Sequence, residues 1–278
     1  MINVIQKYIL FLNIMLFLLL LQVLEDEISR DDKFLSEENL QILLTEIPGE
    51  PPRRTSIVGY PSYPLFCEIS HMIHQWMTSK KCPSLDLPEF ELLDDKGHTE
   101  QKQALFQSIL PLLSGLESLW SIWSQDEIKF RLRDILVLLG LRGILDLLGI
   151  RKTVGTKEIL PPSRTALLNS FNSLQNEKAE ITVGARALSK HFHRDSTSSW
   201  WGSCTGTEQA KNQHALGLCN KILDDAVWIN IHWLPHDVIL IEARNHQGYG
   251  VRWSSDGSLF RGFLEPQMTN GHEIGWKH

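Results

Sequence analysis

The stretch VWINIHWLPHDVILIEARNHQGYGVRWSSDGSLFRGFL, residues 227–264, decides the fold. Val227 to Trp233 and Val238 to Arg244 are rich in β-branched and aromatic residues, which suit a pleated, half-buried surface. Leu234-Pro235-His236-Asp237 between them has the length and composition of a hairpin link. Tyr249 to Trp253 and Leu259 to Leu264 flank Ser254-Ser255-Asp256-Gly257, a second turn whose aspartate can bond nearby backbone and whose glycine tolerates positive φ. Consecutive strands joined by short turns make an antiparallel meander. Helical patterns near Gly184 to His193 and from Thr207 to Leu223 supply a layer to pack on it. The expected class is α+β, an N-terminal helical region followed by a C-terminal four-stranded antiparallel meander packed on helices.

Upstream, Pro161-Pro162 marks a boundary, and a helix from Ser163 to Leu174 leads into the C-terminal domain. Before it, Leu65, Ile69, Met72, Ile73 and Trp76 recur at three- and four-residue spacing, as they do on a helix with one buried face. Residues 99–113 and 126–148 continue the helical pattern. Lys129, Arg131, Arg133, Asp134, Arg142 and Asp146 interrupt the second, leucine-rich run and make it a core helix rather than a membrane span. A short amphipathic helix over 36–48 precedes a proline-rich connector that ends at Pro64. The expected organisation is a hydrophobic segment (1–30), a short helix with a Pro-rich linker (31–64), a helical region (65–160) and a His/Trp-rich α+β domain (161–278).

The first of these carries the strongest targeting signal. Tyr8 to Leu24 is an almost unbroken apolar run after Lys7 and before Glu25-Asp26-Glu27, the pattern of an uncleaved signal anchor. It implies membrane contact through residues 8–24 and a membrane-anchored or secretory location, with a cytoplasmic location as the alternative. Two features point to that alternative. There is no N-x-S/T sequon, and Cys204 and Cys219 bracket a helix too long for a disulfide to span. A net charge of −6 argues against a surface built to coat nucleic acid, so composition carries no strong nucleic-acid signal.

Chemistry concentrates near the C-terminus, where eight of the eleven histidines and six of the nine tryptophans lie beyond Pro161. Arg186, Lys190 and Arg194 fall at four-residue spacing on one helical face, with His191 and His193 beside them. Such a cluster suits a phosphate or carboxylate. Arg252 and Arg261, on neighbouring strands, make a second anion-binding pair if they face the same side as His232 and Glu242. The residues alone do not fix that register. Trp201, in the Trp200-Trp201 loop, is a candidate stacking residue.

For catalysis, His191 and His193 are candidate general bases or metal ligands, with Glu242 or Glu265 in support. His232, His236, His246 and His272 are candidate further ligands, but no complete signature such as H-E-x-x-H is present, and neither metal nor cofactor is assigned. Cys204 opens a helix, where amide dipoles lower a thiol pKa, although Gly-Ser-Cys-Thr-Gly is equally the composition of an N-cap. The leading expectation is a C-terminal domain that binds a small anionic or phosphorylated ligand. Two alternatives stand beside it: a metal-dependent hydrolase, and a non-catalytic scaffold whose helical region docks a protein partner. A site requires these polar residues to converge in one concave pocket; a scaffold scatters them.

Overall fold

The computed structural model describes residues 2–52, 54–90, 93–174, 176, 179–192, 199–234 and 238–267, with side chains from Leu12 onward. The C-terminal sheet has the order β1 (Ala226–Leu234), β2 (Val238–Asn245), β3 (Gly250–Ser254), β4 (Phe260–Leu264), each strand antiparallel to the next. The fold is the expected α+β meander. Register pairs Asn230 with Glu242, His232 with Leu240, and Glu242 with Arg252. Because side chains alternate, the even-numbered residues of β1 to β3 share one face and the odd-numbered residues the other.

The odd face is apolar and buried: Ile229, Ile231, Ile241, Ala243, Val251 and Trp253. It packs on α6 (Arg164–Asn172), α7 (Val183–His191) and α8 (Glu208–Asp224). Each of these helices opens on a hydroxyl cap: Ser163, Thr182 and Thr207 accept the backbone N–H of Ala166, Ala185 and Ala210. The Trp253 indole donates to the Leu167 carbonyl at 3.0 Å, and Phe171 of α6 meets Phe260 of β4 edge-on at 4.8 Å. A Cβ on Gly184 would lie 2.2 Å from the Phe171 ring, so only glycine lets α7 approach α6 this closely.

The helical half comprises α1 (Ile2–Ile28), α2 (Glu37–Leu44), α3 (Leu65–Ser79), α4 (Lys96–Leu119) and α5 (Gln125–Leu147), the last bent at Gly140, where φ is 55°. The expected signal anchor is corrected here. Leu12, Leu16, Leu19, Leu20, Val23 and Leu24 recur at helical spacing and are buried in the protein core, where α1 packs against α3 and α5. Phe17 meets Phe66 at 5.1 Å, and the Glu27 carboxylate, wholly buried, takes a two-pronged bond from Arg133. Among the described residues, no helix is long and apolar enough to cross a membrane. The apolar run of residues 8–24 therefore belongs to a core helix. The membrane contact and the membrane-anchored or secretory location inferred from it are withdrawn, because Leu12, Leu16, Leu19, Leu20 and Leu24 pack inside the protein.

The proline-rich connector is bound along its length. Arg54 donates to the Ile57, Gly59 and Leu148 carbonyls and pairs with buried Glu68, while Tyr60 and Tyr63 donate to the Pro162 and Pro161 carbonyls. Residues 150–157, which follow α5, lie along the free edge of β1. The Arg151 N–H donates to Ile229, the Lys157 N–H to Ile231, and the Trp233 N–H to Gly155. Cys82, Cys204 and Cys219 are buried thiols.

Candidate active site

The even face of the sheet is polar. β1 contributes Asn230 and His232, β2 Glu242 and Arg244, and β3 Arg252, and together with Trp228, Thr153 and Gly155 they line a cleft of about 390 Å³. Alternation puts these side chains on one face; antiparallel register puts them beside each other. Glu242 is the hub. Its Oε1 accepts from Arg252 Nε at 2.7 Å and lies 3.1 Å from His232 Nε2, while Oε2 accepts from Arg244 Nη2 at 3.3 Å.

Burial by itself would raise the Glu242 carboxyl, but His232, Arg244 and Arg252 together outweigh it and hold the group at about 2. It is a carboxylate at every physiological pH. Burial also pulls the Arg244 guanidinium below its ordinary value, with Glu242 opposing the shift. Arg244 is further fixed by the Gly248 and Glu265 carbonyls, at 2.8 and 2.9 Å. Gly250 leaves room for it: a Cβ there would sit 2.8 Å from both the Arg244 side chain and the Ala243 carbonyl oxygen.

Accessibility divides the cluster. The side chains of His232 and Arg252 keep 17% and 27% of their exposure, against 3% and 5% for Glu242 and Arg244. His232 and Arg252 are the more open pair, and Glu242 and Arg244 hold them in place. One carboxylate faces two guanidinium groups and an imidazole, so the cleft has a surplus of positive charge and suits an anion.

Of the residues singled out in the sequence, Glu242 and Arg252 meet in this cleft with His232. Arg261 does not join them: it is exposed, in a bulge between the Arg252–Gly262 and Trp253–Phe260 pairs. Arg186 and Lys190 are exposed on α7, and α7 packs on the opposite, helix-covered face. His191 is also on that side, buried, with Nε2 2.5 Å from Glu265 Oε1 and its ring edge-on to Trp201 at 5.0 Å. Trp201 is itself buried, packed on Tyr249 and Phe263. Cys204 is buried beside Ser189, and His246 is exposed in the turn between β2 and β3. His193, Arg194, His236 and His272 lie outside the described residues. Among the described residues, no group of three or more His, Cys, Asp or Glu side chains is arranged to hold a metal ion.

Residues 171–265 match the family model of the CdiA C-terminal tRNase toxin domain. The match runs from the end of α6 to the residue after β4, and so includes α7, α8 and the three strands that carry His232, Glu242, Arg244 and Arg252. No curated protein and no solved structure matches the chain.

Sequence reading missed Asn230 and Arg244 as site residues. The signal for both was in the strands: Asn230 and His232, then Glu242 and Arg244, are polar at a spacing of two inside otherwise apolar runs, the mark of a polar sheet face.

Proposed function

We propose that residues 171–265 form an RNA-cleaving toxin domain that acts on tRNA, with the even face of the sheet as its active surface. The observation that carries this reading is the convergence of His232, Glu242, Arg244 and Arg252 in one cleft, inside the stretch that matches a tRNase toxin family. The anion expected from the cationic residues is then a phosphodiester in a polymer rather than a small molecule. The chain's overall acidity does not oppose it, since the positive charge needed is local.

The chemistry follows from the division of labour in the cleft. A carboxylate held at about 2 is a weak base, so Glu242 serves to orient His232 and to stabilise its protonated form. His232 takes the proton of a ribose 2′-hydroxyl as that oxygen bonds to the adjacent phosphorus. The 5′-oxygen leaves with the electron pair of the broken P–O bond and takes a proton from water, giving 2′,3′-cyclic phosphate and 5′-hydroxyl ends. Arg252 stabilises the charge that builds on the phosphoryl oxygens, and Arg244 locks the carboxylate from behind. A toxin domain of this kind also calls for a protein partner that neutralises it.

The test is incubation of the intact chain with purified tRNA, followed by denaturing electrophoresis and analysis of the new ends. Cleavage with cyclic phosphate termini is expected. His232→Ala should lower kcat by roughly 100-fold or more, the usual contribution of a positioned general base. An intact chain that leaves tRNA whole, or a His232→Ala variant as active as the parent, would overturn the reading.

A further inference from the structure

Asn230 is nearly inaccessible, at 1% exposure, yet it lines the cleft and pairs across strands with Glu242. Its amide is gripped by two residues outside the matched domain. The Thr156 hydroxyl donates to Asn230 Oδ1 at 2.9 Å, and Asn230 Nδ2 donates to the Thr153 hydroxyl at 2.9 Å. Backbone ties this ring together. The Thr153 N–H donates to Thr156 Oγ1 at 2.7 Å, and the two threonine hydroxyls lie 3.2 Å apart, so both are held against the Asn230 amide. With its oxygen on Thr156 and its NH2 group on Thr153, the Asn230 amide carries a second N–H which Thr153 does not use.

We propose that Asn230 is a substrate-positioning residue, oriented by Thr153 and Thr156, and that segment 150–157 is part of the nuclease site rather than a connector. The segment is well placed for this role. Its backbone bonds to Ile229, Ile231 and Trp233 add it to the β1 edge, and Thr153, Val154 and Gly155 form one wall of the cleft. The spare Asn230 N–H is a neutral donor on the same face as His232 and Arg252, suited to a phosphoryl or ribose oxygen of the bound RNA. It fixes where that oxygen sits, and so the angle at which the 2′-hydroxyl meets phosphorus. The proposal rests on the tRNA-cleaving reading above.

The experiment uses the intact chain and initial rates of tRNA cleavage. Thr156→Val keeps the shape and removes the hydroxyl that sets the amide. It should lower kcat about tenfold with KM within twofold, because misplacement harms the reacting geometry more than binding. Thr156→Ser should restore the parent rate. Asn230→Ala should lose at least as much as Thr156→Val, and the double variant no more than Asn230→Ala alone, since both act through one group. Asn230→Asp, which keeps the shape but replaces the donor by an oxygen, decides the matter if Thr156→Val melts below the assay temperature: a parental kcat in that variant sinks the proposal. A parental kcat in Thr156→Val, or additive losses in the double variant, also overturns it while leaving the cleavage reading intact. If the parent chain itself does not cleave tRNA, both fall together.

Discussion

At the scale of single residues, Glu242 sets the conditions under which the cleft holds together. Its carboxyl is depressed from 4.5 to about 2, so the folded state binds its proton less readily than the unfolded chain does. Its contribution to stability is thus fully present above about 4.5 and is lost as pH falls from there toward 2. Unfolding free energies measured across that window should decline steeply for the parent and more gently for Glu242→Gln. At neutral pH the same variant should lose about 3 kcal/mol, because it strands Arg244 and Arg252 without their counter-charge. An equal acid slope in both proteins would show that other carboxylates dominate. His191 provides the contrast. It is buried on the helix side beside Glu265 and Trp201, so His191→Ala should lower the melting temperature yet leave kcat of the folded protein within about twofold of the parent, well short of the loss expected for a general base.

At the scale of elements, the sheet depends on the close approach of β2 and β3. Gly250→Ala forces a Cβ against the Ala243 carbonyl and the Arg244 side chain, so it should cost about 1–3 kcal/mol and reduce cleavage through displaced Arg244. Chemical denaturation together with the cleavage assay would check both effects, and a fully active, fully stable variant would refute the argument. The strands themselves were legible in residues 227–264, because β-branched runs and an Asp-Gly turn act locally. The division of the sheet into an apolar and a polar face left a trace in the period-two placement of Asn230, His232, Glu242 and Arg244, but the residues alone did not fix the register that brings them together. The helix-borne cations lie apart from the cleft for a physical reason: charge at four-residue spacing places Arg186 and Lys190 on one face of α7 but does not say which face of the sheet the helix covers. Thr153 and Thr156 had no local signature at all, since their partner is more than 70 residues away in the chain.

At the scale of the whole molecule, the helical half and the sheet are cross-braced. Arg54 reaches Leu148, Tyr60 and Tyr63 reach the Pro161-Pro162 step, and Trp228 donates to Asp94 at 3.0 Å. Calorimetry of the intact chain should therefore show one cooperative transition rather than two. The apolar run in α1 misled because it is leucine-rich nearly all round: Leu18 is exposed while Leu16, Leu19 and Leu20 are buried, a distinction composition does not carry. Leu20→Asp should cost several kcal/mol by placing an unpaired charge in the core, whereas Leu18→Asp should be nearly neutral; circular-dichroism melts of the two would separate a packed helix from one without protein neighbours. Finally, the strand-like segment 150–157 occupies the β1 margin of the sheet. If it peels away, it uncovers a row of unpaired amides and carbonyls beside Ile229 and Ile231, a ready template for another chain. The same local opening that disarms Asn230 would then begin aggregation, so loss of catalytic competence and loss of solubility should share one onset on mild heating.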